Sequence, residues 1–180
     1  MNIRLKSQIK WCRPEQGKIK INVDASFIRD TEQAGIGIIA RDSQGQVIFS
    51  SGRVLFHCKD AEEAELLACR EGLHLAIQWV AAPVILETDC LLVTNMLKAR
   101  FGDRSSKAMM VRDVKELINE LREVEILHCK RDQNRVSHLL ARMACLDVFT
   151  IVICKRDLAL HAAPEFVLSV IEADCNPIID

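Results

Sequence analysis

The chain predicts an α/β domain in which an antiparallel meander of three strands is followed by helices alternating with two further strands. Three observations carry this. Lys18-Ile19-Lys20-Ile21-Asn22-Val23-Asp24 alternates polar and apolar residues with the period of a strand. Residues 60–80 then change to a helix-forming composition behind an acidic start, and Val84-Ile85-Leu86 is the unbroken apolar run of a strand covered on both faces. With 180 residues, 49% of them hydrophobic, the chain is long and apolar enough for one domain with a real core.

The first strand covers about residues 18 to 27, with Ile19, Ile21 and Val23 on one face and Lys20, Asn22 and Asp24 on the other. Residues 34–41 and 46–55 are the second and third strands, joined by the polar turn Arg41-Asp42-Ser43-Gln44-Gly45, whose glycine suits a positive φ. Gly35 and Gly37 lie inside a strand that leads to another strand. A phosphate-cradling turn needs a strand-to-helix junction, so these glycines point instead to a close backbone approach or a bulge. The helix from Asp60 to Val80 has Asp60 as N-cap and Glu62 and Glu63 in its first turn, where the helix dipole favours negative charge. Glu65 heads a stripe of Cys69, Gly72 and Ala76, small and uncharged, suited to lying tight on a sheet.

Asp89 closes the strand after Pro83, at the carboxyl end where α/β sheets gather ligands; its alternative role is an N-cap for a helix from Cys90 to Lys98. After a polar bend from Arg100 to Ser106, an amphipathic helix uses Met110, Val111, Val114, Leu117, Ile118 and Leu121. Glu125–Cys129 forms the fifth strand, and a helix from near Gln133 presents Asn134, His138, Ala141 and Cys145 on one face. Beyond Leu146 the pattern is mixed: an apolar run from Val148 to Ile153, a basic break, Pro164 as helix N1 and a short helix from Glu165 to Ile171.

Composition excludes several classes. No apolar run approaches the roughly 20 residues of a membrane span, and Met1 to Lys10 lacks the apolar core of a secretory signal, so a soluble, intracellular protein, cytoplasmic or nuclear and monomeric, is expected. Eight scattered cysteines with no Cys-x-x-Cys pair argue for reduced thiols over a disulfide framework or a zinc site. His57-Cys58 and His128-Cys129 lie in strand-like stretches, where neighbours point to opposite faces. A net charge of −1 gives no long-range attraction for a polyanion, which must be held locally. Lys18, Lys20, Arg29, Arg41, Arg53, Lys98, Arg100, Arg104 and Lys107 are the candidates.

Asp24, Glu65 and Asp89 come from three different elements. Carboxylates converging on one buried point repel unless a divalent cation neutralises them, which is the arrangement of metal-assisted chemistry on phosphates.

Five segments in order resemble a known family. They are Trp11-x-x-Pro14-x-x-Gly17-x-x-Lys20-x-Asn22-x-Asp24, Gly35-x-Gly37 to Arg41-Asp42-x-x-Gly45, Ala64-Glu65-x-x-Ala68-x-x-Glu71-Gly72-Leu73, Glu87-Thr88-Asp89-Cys90, and Asn134-x-x-x-His138-x-Leu140-Ala141-Arg142. Together they resemble the plant reverse-transcriptase-like ribonuclease H domain over about residues 11–145, leaving 1–10 as an N-terminal extension and 146–180 as a C-terminal appendage. The resemblance implies a ribonuclease H-like mixed five-stranded sheet, three antiparallel strands then two parallel ones, flanked by helices. It also implies cleavage of the RNA strand of RNA–DNA hybrids with two Mg²⁺ (or Mn²⁺) ions. Asp24 would bridge both, Glu65 and Asp89 would each hold one side, and His138 would take the fourth position. Active members carry an aspartate where this chain has His138, so the resemblance leaves two expectations: a slowed metal-dependent nuclease, or a domesticated binding module that keeps the fold without turnover. A neutral imidazole supplies one charge fewer than aspartate and suits Mn²⁺ better than Mg²⁺.

Overall fold

Six strands build one sheet in the computed structural model, which describes residues 10–100, 106–147, 150–154 and 164–175. In chain order the elements are β1 (Ile19–Ile28), β2 (Gln33–Arg41), β3 (Val47–Leu55), α1 (Ala61–Trp79), β4 (Val84–Thr88), α2 (Leu91–Lys98), α3 (Ala108–Glu120), β5 (Val124–His128), α4 (Arg135–Asp147), β6 (Thr150–Cys154) and α5 (Glu165–Cys175). The sheet order is β5-β4-β1-β2-β3-β6. The β1–β2 and β2–β3 pairs are antiparallel, whereas β1–β4 and β4–β5 are parallel. This is the expected five-stranded arrangement, to which β6 adds a sixth strand antiparallel to the outer edge of β3.

Local chemistry explains the joints. Asp42 Oδ1 accepts the amide protons of Gln44 and Gln46, each at 2.9 Å, and Gly45 takes φ +82°, so the polar turn closes the β2–β3 hairpin. Asp60 caps α1 by accepting the Glu63 amide at 2.8 Å, and Lys107 ties that cap to α3 through ion pairs to Asp60 (2.8 Å) and Glu62 (3.0 Å).

Helices cover both faces of the sheet. On one, Ile21, Val23, Ile36 and Ile38 pack against α1, with Val93 of α2 and Val111 and Val114 of α3 in the same core. Gly72 meets Val23 directly, as the small stripe of α1 requires. On the other, Ile39 packs with Val136 and Leu140 of α4 and with Val167 and Ile171 of α5. A Cβ at Gly35 would overlap the carbonyl oxygen of Ala141, and one at Gly37 that of Ser137. The α4 backbone therefore rests on the β2 backbone, and this close approach fixes the depth at which α4 sits.

A buried polar network seals the α5 side. Arg41 is 1% exposed, pairs with Asp174 at 3.0 Å, reaches Asn22 Oδ1 at 3.4 Å and stacks on the Trp11 ring at 3.7 Å. Asn22 donates to Glu87 at 3.0 Å, and Glu87 pairs with Lys20 at 2.7 Å. Lys10 and Arg13 donate to the carbonyls of Ala173 (3.0 Å) and Cys175 (3.1 Å), satisfying the C-terminal end of α5, where cations are favoured. The α5 helix is thereby tied to both the sheet and the segment that precedes β1. Among the described residues no helix is long and apolar enough to cross a membrane.

Candidate active site

Strand register brings two of the three acids together. Val23 of β1 lies beside Thr88 of β4 in parallel pairing, which sets Asp24, still within β1 and paired with Gly37 of β2, next to Asp89, the first residue past the end of β4. Glu65 arrives from the first half of α1, which crosses the same end. One carboxylate oxygen from each of Asp24, Glu65 and Asp89 lies within 4.8 Å of the other two. Asp24 is 3% and Glu65 8% exposed, while Asp89 is partly open.

Each acid is held by neighbours. Glu65 Oε1 accepts the Ala25 amide at 3.3 Å, and Oε2 accepts the Thr88 hydroxyl at 3.2 Å. Thr88 Oγ1 in turn accepts the Cys90 amide at 3.0 Å. The N-cap position of α2 is Cys90 and no side chain caps that helix, so the capping role considered for Asp89 is not realised. Asp24 Oδ2 lies 2.7 Å from His138 Nδ1.

His138 owes its position to a clasp at the start of α4. Asn134 Nδ2 donates to the Val23 carbonyl at 2.8 Å, while Asn134 Oδ1 accepts the Ser137 hydroxyl at 2.7 Å. Asn134 stood out in the sequence; Ser137 did not, because a buried hydroxyl at a helix start looks like any other helix serine. His128, at the end of β5, reaches the Asp89 carbonyl with Nε2 at 3.1 Å.

Burial drives the electrostatics. Desolvation pushes the Asp24 carboxyl up to about 6; the His138 hydrogen bond opposes this rise and the Asp89 charge adds to it. Glu65 is held well above the usual carboxylate range, first by burial and then by the charges of Asp24 and Asp89. Such a cluster fits a divalent cation: hard oxygen donors, mutual repulsion and too little water to solvate the charge.

A carboxyl whose folded value exceeds its unfolded value of 3.8 binds its proton more tightly in the native state. The metal-free protein is therefore expected to lose stability as pH rises from about 4 through about 6, on the order of 3 kcal/mol from Asp24. Glu65 acts in the same direction. Thermal melting in chelator at pH 4 to 7 checks this: the fall should shrink in Asp24→Asn and on adding Mn²⁺ to the wild type, and a profile identical in all three would contradict it.

Most basic residues nominated as anion contacts are engaged elsewhere. Lys18 pairs with Glu15, Lys20 with Glu87, Arg41 with Asp174, Arg53 with Glu71 and Lys107 with Asp60 and Glu62. Arg104 lies outside the described residues. Arginines that sequence reading passed over flank the site instead: Arg131 Nη2 is 3.4 Å from His138 Nε2, and Arg131 and Arg135 line a cleft of about 330 Å³ beside that ring.

Comparison with known proteins gives a consistent fold. A family described as reverse transcriptase-like matches residues 22–144. No curated protein matches by sequence. Among solved structures, the chain is similar to an RNase H1 from the halophilic archaeon Halobacterium salinarum, with TM-score 0.67 and 20% identity over 74% of this chain and 100% of that one. It is similar to the N-terminal RNase H domain of a Mycobacterium tuberculosis protein, with TM-score 0.65 and 19% identity over 72% and 94% of the two chains. A third is LC11-RNase H1, isolated from compost by a metagenomic approach and solved in complex with an RNA/DNA hybrid; it aligns with TM-score 0.65 and 18% identity over 72% and 98%.

Proposed function

The chain belongs to the reverse-transcriptase-like family, and from that premise we propose that it is a divalent-metal-dependent endonuclease hydrolysing the RNA strand of RNA–DNA hybrids. The supporting observation is the convergence of Asp24, Glu65 and Asp89, from β1, α1 and the end of β4, within 4.8 Å of one another. That a similar fold has been solved with an RNA/DNA hybrid favours this substrate class.

Asp24, Glu65 and Asp89, with His138 at their margin, would hold the Mg²⁺ or Mn²⁺ ions, two in this reading. When bound, such ions lower the pKa of water and stabilise charge on the attacking and leaving oxygens of a phosphodiester. The protein's own part is preorganisation. Glu65 is fixed by the Ala25 amide and the Thr88 hydroxyl, so its carboxylate needs little rearrangement on loading. Asp24 is too buried to be a mobile surface acid, and its position follows the β1–β4 register. Asp89 and His138 are the more open members and mark the side from which a phosphate approaches. Preference for an RNA strand would rest on contacts to its 2′-hydroxyls across the shallow minor groove.

His138 tempers the expected rate. Its ring contributes no negative charge where an acid would, and it holds Asp24 Oδ2 through Nδ1 at 2.7 Å, competing with a cation for that oxygen. This contact favours the second reading, a nucleic-acid-binding module without turnover. Incubating the protein with a labelled RNA–DNA hybrid and Mg²⁺ or Mn²⁺ separates the two. Cleavage of the RNA strand, faster by roughly tenfold or more in His138→Asp, about 1.4 kcal/mol of barrier, is the expected result. No cleavage by either protein with either ion would leave the binding reading in place of the nuclease.

A further inference from the structure

We propose that the outer face of α4 is a phosphate-backbone track, along which one strand of a bound nucleic acid runs away from the acidic cluster, held by Arg131, Arg135 and Arg142. The inference rests on the nucleic-acid-binding part of the reading above and assigns the surface that does the binding.

The track begins at the site itself. Arg131 Nη2 contacts His138 Nε2 at 3.4 Å, and the same ring contacts Asp24 at 2.7 Å, so the guanidinium is one side chain removed from the carboxylates. Arg131, Arg135, His138 and Leu139 then line a cleft of about 330 Å³ whose far wall is Val170 of α5. Arg135 and Arg142 are seven residues apart, two helical turns, and both are exposed. That spacing is about 10 Å along the helix, the advance of roughly three nucleotides at about 3.4 Å each.

Charge bookkeeping leaves this surface available, together with others such as Lys98, Arg100 and Arg122 that also form no ion pair among the described residues; what distinguishes it is its continuity with the acidic cluster. The molecule carries a net charge of −1 and cannot attract a polyanion from a distance. Lys18, Lys20, Arg41, Arg53 and Lys107 are neutralised by carboxylates. Arg131, Arg135 and Arg142 form no ion pair among the described residues, and Asp132 is the one acid lining the cleft. Three unpaired guanidinium groups on one face, continuous with a phosphodiester-cleaving cluster, suit a phosphate chain better than an isolated anion.

The test is fluorescence anisotropy with a short labelled RNA–DNA hybrid in EDTA, which prevents cleavage. The double variant Arg135→Glu with Arg142→Glu is expected to weaken binding at least tenfold and to lower the salt slope by about two. Arg122→Glu, a single charge reversal at the opposite end of the parallel strands, should leave both nearly unchanged, whereas Arg135→Glu alone, the same charge change on the track, should weaken binding. Mn²⁺ titration of the double variant should match the wild type, showing that the acidic cluster is intact. Equal affinity and salt slope in wild type and double variant would overturn the track, as would absence of binding to hybrid, duplex RNA and duplex DNA alike. A loss in any of the three probes that the wild type binds supports it. If the wild type binds but never cleaves, the nuclease reading fails while the track stands or falls on the affinities alone.

Discussion

Replacing Asp24 with asparagine is expected to lower hybrid hydrolysis by about a thousandfold or more, equivalent to some 4 kcal/mol of barrier. The metal-free protein should lose no stability and is expected to melt at a higher temperature near pH 7. The two effects share one cause. Asp24 is 3% exposed and faces Asp89 and Glu65, so in the metal-free protein its charge opposes folding, while it is the charge that a loaded site needs. Asparagine keeps the shape, removes the charge and still accepts a hydrogen bond from His138. Initial rates with purified wild type and variant, beside melting curves in chelator, measure both. Equal activity in the two proteins would mean that the carboxylate has no part in the reaction and that the cleavage comes from another source.

Replacing Arg41 or Asp174 with alanine is expected to cost about 3–5 kcal/mol of stability, because each single change strands its partner as a buried, unpaired charge. Arg41 sits at 1% exposure between Trp11, Asn22 and Asp174, so it cannot swing out to water without leaving the stack. A fall in melting temperature of about 10 °C or more is the corresponding shift. Arg41→Met combined with Asp174→Leu should recover much of the loss, since an apolar pair of similar volume leaves no charge uncompensated. A single alanine variant that melts like the wild type would show that α5 does not depend on this pair.

What the sequence made legible was local. Alternation from Lys18 to Asp24, the Asp60 cap and the Val84-Ile85-Leu86 run each express their structure within a few residues, and all three elements stand where expected. The acidic cluster was legible because the motifs flanking Asp24, Glu65 and Asp89 are themselves local, although the residues meet only in the fold. Long-range pairing was not legible. Arg41 and Lys20 resembled free cations because their partners, Asp174 and Glu87, lie far along the chain, 133 residues away in the first case. The run ending at Cys154 could be read as apolar, but its pairing with β3 depends on an edge that exists only once the sheet has formed. Arg131 and Arg135 gave no signal and Arg142 entered only as a motif residue, because an exposed arginine is ordinary until its neighbours are known. The His138–Asp24 contact spans 114 residues and combines both cases: the motif position was visible, its hydrogen bond was not.

The most direct test of the shared acidic site is a calorimetric titration with Mn²⁺ at neutral pH, comparing the wild type with Asp24→Asn. A saturable heat in the wild type that disappears in the variant is the predicted result. No heat in the wild type, or the same isotherm in both proteins, would contradict a divalent-cation site formed by Asp24, Glu65 and Asp89.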